Sequence, residues 1–334
     1  MPAAKKIMKK KNILKGVLFV GFGASIYGML ATFVKMSYQE GFTTSEVTTA
    51  QFALGITGLL ILNFIQTITS KKKLPSPSRK EFRTLLIAGT SLGCTSLFYY
   101  IAVQYIAVSI AIVLLMQSVW FSVVVESFIT KKFPNAKKVV ATLIVLLGTV
   151  LATNLINLEV KLDWHGIFWG VLAAASFTMT MFTSNTLATH LPVLRKSVIM
   201  LTGGSVIVLV FLFFAQIGPQ YSEGLKSFYL NFTENTEHIR PFDYSIFWTY
   251  GFILALFGTI IPPILFNLGF PNTGLGLGSI ISSLELPVSV TMAFVLLGEK
   301  VILIQWIGIV LILMAIVLMN LPSKKEKVLN EQLS

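Results

Sequence analysis

Long apolar stretches separated by short polar or basic segments run through the whole chain. A helix needs about 20 predominantly apolar residues to cross the hydrocarbon core of a bilayer, so stretches of this length predict membrane-spanning helices. The predicted spans lie near 13–36, 47–69, 82–103, 107–129, 138–155, 165–186, 196–216, 245–268, 276–297 and 302–321. The expected fold class is therefore an all-α integral membrane protein with ten transmembrane helices.

The distribution of basic residues predicts how the spans are oriented in the membrane. The 334 residues include 26 Lys and Arg but only 14 Asp and Glu, which gives a formal net charge of +12. Such a charge could indicate a nucleic-acid partner, but 21 of the 26 basic residues lie at the two ends of the chain and in alternate connections between spans. This distribution follows the positive-inside rule. We therefore predict a multi-pass protein of the inner or plasma membrane, surrounded by lipid, with no nucleic-acid partner and with both tails, 1–12 and 322–334, in the cytoplasm.

The two halves of the chain share a pattern of small, polar and charged positions. The segment LLMQSVWFSVVVESFITKK aligns with SSLELPVSVTMAFVLLGEK, so that Gln117 corresponds to Glu285. We divide the chain into two five-helix repeats, 13–155 and 164–321, the second with a polar external loop at 217–244 that contains a short surface helix. Since five is odd, the second repeat enters the membrane from the opposite side. Inverted repeats of this kind are typical of alternating-access transporters with a site near the midplane.

The ninth predicted span contains Glu285 near its middle and Pro287 two residues later. A charge at the bilayer centre costs at least about 2.5 kcal/mol, so an ionisable residue there indicates a functional site. Proline cannot donate a helix hydrogen bond, which predicts a helix break and a free carbonyl at Ser283. Small and polar residues share one stripe at helical spacing: Gly278, Ser282, Glu285, Ser289 and Met292. We predict that this stripe forms a wall of a polar cavity. The alternative is a kinked helix whose Glu285 is bonded by a neighbouring helix.

Other polar and aromatic residues lie inside predicted spans, where they line a water-filled path or mark close helix contacts. The candidates for the cavity are Gln117, Ser118, Ser122, Trp120, Tyr100, Ser176 and Asn185. Helix packing is the alternative for the serines, and anchoring at the membrane interface is the alternative for the aromatic residues. The adjacent Pro262 and Pro263 predict a second helix break or hinge.

The sequence shows no nucleophile–base pair, phosphate-binding loop or zinc-ligand spacing. The single cysteine, Cys94, excludes a disulfide within the chain. We therefore expect no enzymatic activity, no cofactor and no metal. Because the predicted inner connections are too short for a nucleotide site, transport would be driven by an ion gradient, with protons as the candidate coupling ion, or by the gradient of a small-molecule substrate itself. Both a monomer and a homodimer fit the sequence.

Three segments resemble an EamA-type member of the drug/metabolite transporter superfamily: YGMLATFVK, AVSIAIVLLMQSVWFSVVVESFITKKFP and ELPVSVTMAFVLLGEKVILIQWIGIVLILMAIVLM. The resemblance covers nearly all of 13–321. It implies ten helices in two inverted repeats and transport of small polar metabolites, commonly exported amino acids or related compounds. The sequence departs from the family's pattern at Gln51, where arginine is frequent, and at Val119, where the first repeat often has proline.

The leading hypothesis is a secondary transporter that moves small polar metabolites, such as exported amino acids, by alternating access at a midplane cavity. In this hypothesis Glu285 exchanges a proton, and Gln117 faces the same cavity from the other repeat. A passive channel or facilitator and a lipid-carrier flippase are the alternatives.

Overall fold

The computed structural model describes residues 12–70, 73–106, 108–153, 163–230, 239–298 and 300–320. All secondary structure assigned to these residues is helical. The first repeat contains α1 (Ile13–Gln39), α2 (Thr44–Thr69), α3 (Arg79–Tyr105), α4 (Val108–Leu115), α5 (Ser118–Thr130) and α6 (Ala136–Ala152). The second repeat contains α7 (Trp164–Thr186), α8 (Val193–Leu212), α9 (Gly218–Tyr221), α10 (Glu223–Leu230), α11 (Phe252–Leu254), α12 (Ile261–Thr273), α13 (Leu275–Ser282), α14 (Glu285–Leu297) and α15 (Leu303–Asn320).

Short π-helical segments join some of these elements into longer continuous helices. Phe213–Ile217 connects α8 to α9, and Phe247–Gly251 and Ala255–Ile260 flank α11 before α12 begins. Eight helical stretches of the described residues are long and apolar enough to cross a membrane, and Leu303–Met319 is a shorter apolar helix. The multi-pass all-α fold is thus confirmed, while the spans expected at 138–155 and 302–321, which correspond to α6 and α15, remain predictions.

Helices of the two repeats pack mainly against each other. Helix α1 contacts α12 and α14, α3 contacts α7 and α8, and α6 contacts α15. Small residues permit this close approach: a Cβ atom on Gly93 would lie 2.4 Å from the carbonyl oxygen of Gly204. Because lipid tails are as apolar as leucine, helices in a membrane associate through such tight contacts. The central apolar core accordingly draws on both repeats, with Val20 and Met116 beside Phe177 and Phe266.

Both repeats contain a helix that breaks near its middle. The first break separates α4 from α5 and the second separates α13 from α14. At the first, the N–H of Val119 donates to the carbonyl of Met116 at 3.0 Å, and at the second the N–H of Leu286 donates to that of Ser283 at 3.2 Å. In the repeat alignment the second bond lies one residue earlier, because Pro287, which corresponds to Val119, has no N–H. The span predicted near 107–129 corresponds to the apolar helical stretch Ile110–Thr130, which a tight turn interrupts without a proline.

Candidate functional site

A small cavity lies between α1, α3 and the start of α14, and we call it the Glu285 cavity. The residues that line it are Tyr27, Leu30, Ala31, Thr95, Ser96, Tyr99, Tyr100, Leu115 and Glu285. The side chain of Glu285 is only 8% exposed, and its Oε2 atom has no hydrogen-bond partner among the described residues. Burying a carboxylate without a partner is costly. This cavity is therefore the candidate functional site.

The backbone around Glu285 is closely packed even though one oxygen of its side chain lacks a partner among the described residues. Helix α1 approaches so closely that a Cβ atom on Gly28 would lie 2.3 Å from the backbone oxygen of Glu285. Glu285 is also the first residue of α14, where the positive end of the helix dipole favours a negative charge. The site thus combines a closely packed backbone with a carboxylate oxygen that accepts no hydrogen bond from the described residues.

Three tyrosines line the same cavity as Glu285: Tyr27, Tyr99 and Tyr100. Tyr99 and Tyr100 lie with their ring centroids 6.0 Å apart. The hydroxyl of Tyr100 donates to Oε1 of Gln51 at 3.1 Å, whereas the buried hydroxyl of Tyr99 has no partner among the described residues. Tyr27, from α1, stacks on Phe177 with a centroid distance of 5.9 Å. The structure therefore brings the predicted residues Tyr100 and Glu285 into one cavity.

A second small cavity adjoins the first and shares Tyr27 and Thr95 with it. Its other lining residues are Leu92, Phe177, Thr180, Ser184, Met200, Gly258, Pro262, Pro263 and Phe266. Each of the two cavities has a volume of about 20 Å³. A cavity of this size holds about one water molecule. We call the second one the Phe266 cavity; its lining is mainly apolar.

The predicted stripe on the ninth span is divided by the helix break. Gly278 and Ser282 belong to α13, while Glu285 and Ser289 belong to α14. Both serines are buried, but neither lines the Glu285 cavity, and the hydroxyl of Ser282 donates to the carbonyl of Gly278 at 3.0 Å. The hydroxyl of Ser282 is therefore hydrogen-bonded within its own helix.

Gln117 is not among the residues that line the Glu285 cavity, and its facing of Glu285 across a shared cavity stays a prediction. Its side-chain Nε2 donates to the carbonyl of Val113 at 2.9 Å, and its Oε1 accepts from Nε1 of Trp120 at 2.8 Å. Trp120 is 38% exposed. The break turns Gln117 back along its own helix, so Leu115 lines the cavity from this repeat instead.

The remaining predicted residues lie on α5 and α7. Ser122 is buried and donates to the sulfur of Met181 at 3.8 Å. The hydroxyl of Ser118 is buried without a partner among the described residues. Ser176 and Asn185 are half-buried on α7. None of these four lines the Glu285 cavity or the Phe266 cavity.

Pro287 lies in the first turn of α14, whereas Pro262 and Pro263 lie inside the continuous helical stretch Phe247–Thr273. Pro287 is the third residue of α14, and the break at Ser283 and Leu284 precedes it. The carbonyl of Ser283, expected to be free, accepts from the N–H of Leu286 because the chain winds more tightly there. Pro262 and Pro263 are buried at the start of α12, directly after a π-helical segment, and both line the Phe266 cavity.

A second buried glutamate, Glu46, was missed by the sequence interpretation. It is fully buried and accepts from the N–H of Thr43 at 2.7 Å, the amide of Gln216 at 3.0 Å and the N–H of Asp243 at 2.9 Å. Arg240 completes an ion pair with it at 2.8 Å. The Thr43-x-x-Glu46 spacing is a capping box, and this signal could have been found in the sequence.

This cluster connects residues 41–46 of the first repeat to residues 239–243 of the second. Arg240 also donates to the carbonyl of Gly41 at 2.9 Å. Hydrogen bonds from the hydroxyl and the N–H of Ser245 hold the pKa of Asp243 below its usual range, so that residue is an anion at neutral pH. We call this end of the bundle the Glu46 end.

Lys196, at the start of the span predicted near 196–216, is buried in the first turn of α8. Its Nζ donates to the carbonyls of Thr183 at 3.0 Å and Ser184 at 2.9 Å. These carbonyls lie at the end of α7, where the negative end of the helix dipole favours a cation. Lys196 thus caps a helix beside the Phe266 cavity, which Ser184 lines.

A larger apolar groove runs between α3, α7 and α8 toward the Glu46 end, with a volume of about 570 Å³. Aromatic side chains dominate it: Phe98, Tyr105, Phe168, Trp169, Phe211, Phe214, Phe228 and Tyr229. Thr44 and Gln104 also line a polar vestibule beside it. The described residues include no group of three or more His, Cys, Asp or Glu side chains that could hold a metal.

Comparisons with known proteins agree with this architecture. A family model described as the EamA-like transporter family matches residues 14–154 and 164–321. A solved structure titled only as the crystal structure of a protein is similar in fold, with a TM-score of 0.68 over 93% of this chain and 98% of its own, at 12% sequence identity. A search of curated proteins finds no match. The two matched segments coincide closely with the two repeats inferred from the sequence.

Proposed function

The chain belongs to the EamA-like transporter family, and from this premise we propose that it is a secondary transporter of small polar metabolites that works by alternating access around the Glu285 cavity. The observation that carries the proposal is the unpartnered Oε2 of Glu285, buried where a broken helix of one repeat meets α1 and α3 of the other. Transporter sites commonly lie at such broken helices between inverted repeats. Amino acids and related compounds are the proposed solutes, and export is the proposed direction.

Glu285 would couple transport to protons. Burial disfavours its ionised form, so the closed protein favours a protonated Glu285, and opening to water on either side favours release. The titratable groups that face it in the cavity are Tyr27, Tyr99 and Tyr100, which stay neutral near neutral pH. Glu285 alone in this cavity would therefore change charge during a transport cycle.

The test uses purified protein in proteoliposomes with a mixture of radiolabelled amino acids. We expect Glu285→Gln to lose pH-dependent, gradient-driven accumulation while counterflow exchange persists, because glutamine keeps the hydrogen-bonding shape but cannot exchange a proton. The matched control is Glu126→Gln, since Glu126 also lies in a broken-helix span but is ion-paired with Lys138. Normal accumulation by Glu285→Gln would contradict the proposal, and absence of counterflow in the wild type would favour a channel.

The orientation is proposed from the charge distribution: ten spans, both tails in the cytoplasm and the Glu46 end outside. A cysteine introduced at Glu223, whose side chain is 89% exposed, in a Cys94→Ser background should react with an impermeant thiol reagent added to whole cells. A reporter fused after Ser334 should give a cytoplasmic signal. Labelling of the Glu223 position only after the cells are permeabilised would contradict this orientation.

A lipid-carrier flippase is the second candidate, and the aromatic groove favours it. An acyl or isoprenoid chain needs an apolar path beside a polar one, and the groove shares Thr44 and Gln104 with the vestibule at the Glu46 end. The two candidates separate in proteoliposomes that contain a fluorescent short-chain phospholipid. Protein-dependent access of that lipid to dithionite, without amino-acid counterflow, would favour the flippase.

A further inference from the structure

The Glu285 cavity presents a negative charge without supplying a positive one. Its lining residues are tyrosines, hydroxyl-bearing residues and aliphatic residues, and none is Lys, Arg or His. Oε2 of Glu285 has no hydrogen-bond partner among the described residues, and the side chain is more than nine-tenths buried. When Glu285 is ionised, no cationic side chain of the cavity lining compensates its charge, which makes the cavity suitable for a cation from outside the protein.

The groups around the carboxylate suit an organic ammonium rather than a metal ion. Tyr27, Tyr99 and Tyr100 bring three aromatic rings to one small space, and aromatic faces attract ammonium groups through cation–π interactions. The unpartnered hydroxyl of Tyr99 can accept a hydrogen bond. Ca²⁺ and Mg²⁺ instead need about six oxygen ligands, and the described residues offer no acidic cluster that would supply them.

The small volume of the cavity favours a primary ammonium group over a larger substituted one. The cavity has a volume of about 20 Å³, which suits one water-sized group such as –NH₃⁺. A trimethylammonium group is several times larger and would need the helices to move apart. The rest of the solute would extend past Tyr27 and Thr95 into the Phe266 cavity, whose lining is mainly apolar.

We infer that the Glu285 cavity binds the primary ammonium group of a small amine with a compact apolar body, with Glu285 as its counter-ion and Tyr27, Tyr99 and Tyr100 as an aromatic cage. This inference deepens the proposed function, on which it rests for the solute's access to the cavity, by naming the chemical class that the site recognises. An arriving ammonium would take the place of the proton on Glu285, so the carboxylate would exchange one cation for the other.

The test is equilibrium binding to the purified full-length protein in lipid nanodiscs, measured by calorimetry. The probes are n-propylammonium, tetramethylammonium and neutral 1-propanol. We expect n-propylammonium to bind most tightly and Glu285→Gln to weaken its binding more than about tenfold. Glu285→Asp, which keeps the charge, should retain part of the affinity and thus covers the case in which the glutamine variant folds poorly. Glu126→Gln is the matched control and should bind as the wild type does.

The aromatic cage has its own pair of variants. Tyr27→Phe keeps the ring and should change binding of n-propylammonium by less than about threefold, whereas Tyr27→Leu removes the ring and should weaken it by about tenfold. Equal effects of the two variants would overturn the cage. Equal binding of n-propylammonium and 1-propanol, tighter binding of tetramethylammonium, or unchanged binding by Glu285→Gln would overturn the inference as a whole.

The binding and transport experiments distinguish failure of the ammonium site from failure of the proposed transport mechanism. Loss of proton-driven accumulation in Glu285→Gln, together with no binding of n-propylammonium by the wild type, would overturn the ammonium site and leave the proposed transporter standing. Charge-selective binding of n-propylammonium by a protein that shows neither accumulation nor counterflow of amino acids or of radiolabelled n-propylammonium would support the ammonium site and overturn the proposed transport mechanism.

Discussion

Glu46 and Glu285 are both buried carboxylates at the contact between the two repeats, yet their surroundings are opposite. Glu46 accepts hydrogen bonds from Thr43, Gln216 and Asp243 and pairs with Arg240. Glu285 has an oxygen with no partner among the described residues. A fully satisfied buried charge holds elements together, whereas an unsatisfied one is a place where a ligand or a proton is still needed.

From this contrast we expect different roles for the two parts of the helix bundle. The Glu46 end connects the repeats through polar bonds that span 170 or more positions of the chain, such as Gln216 to Glu46. The Glu285 cavity lies among apolar contacts and tyrosine rings. Substitutions at the first carboxylate should therefore change stability, and substitutions at the second should change binding and transport.

The largest expected effect is on stability at Glu46. Glu46→Ala leaves the charge of Arg240 and several buried donors unpaired, so we expect the free energy of unfolding to fall by about 3 kcal/mol. Thermal unfolding in detergent measures the change. The control is Glu223→Ala, at an exposed position of α10, which should stay within about 0.5 kcal/mol of the wild type. A Glu46→Ala protein as stable as this control would remove the basis of the comparison.

The next effect concerns the backbone beneath Glu285. A Cβ atom on Gly28 would lie 2.3 Å from the backbone oxygen of Glu285, so Gly28→Ala should separate α1 from α14 and cost about 2 kcal/mol. Gly224→Ala is the control, because the nearest atom to its added Cβ is 3.8 Å away. The same thermal unfolding assay applies. No difference between the two variants would mean that α1 does not fix the position of Glu285.

A smaller loss is expected when only the partner of Glu46 is changed. Arg240 is partly exposed, and its removal leaves Glu46 with three neutral donors, so Arg240→Gln should lower the free energy of unfolding by about 1 kcal/mol. Lys226→Gln, on the surface helix α10, is the control. A loss equal to that of Glu46→Ala would show that the ion pair, rather than the set of neutral donors, carries the stability of the Glu46 end.

The smallest expected stability effect is at Glu285 itself. Glu285→Gln replaces a poorly satisfied carboxylate by a neutral amide, so the free energy of unfolding should rise or change by less than about 1 kcal/mol. Thermal unfolding at neutral pH, with Glu126→Gln in parallel, measures this. A loss as large as that of Glu46→Ala would mean that Glu285 is a structural residue and would reverse the comparison.

The sequence predicted the elements of the fold better than the partners of its polar groups. Long apolar runs and the repeat alignment anticipated the helices and both repeats. Glu285 and Pro287 also indicated the break between α13 and α14, because a mid-span charge and a proline are unusual within one span.

What sequence reasoning could not supply was the direction of individual side chains at the breaks and ends. Gln117 aligns with Glu285, but a tight turn without a proline aims its amide at Val113 and Trp120 instead. Lys196 lies at the start of the span predicted near 196–216, but α8 begins three residues earlier and buries it against α7. In both cases a shift of one to three residues at a helix boundary decides which way the side chain points.

Pro287 gives the two broken helices different mechanical properties. At the first break Val119 retains an N–H group, which could transfer from Met116 to a carbonyl one residue further back and make α4 and α5 one continuous helix. At the second break proline has no such group, so α13 and α14 cannot close in the same way. The first break can therefore close through this backbone hydrogen bond, whereas the second cannot.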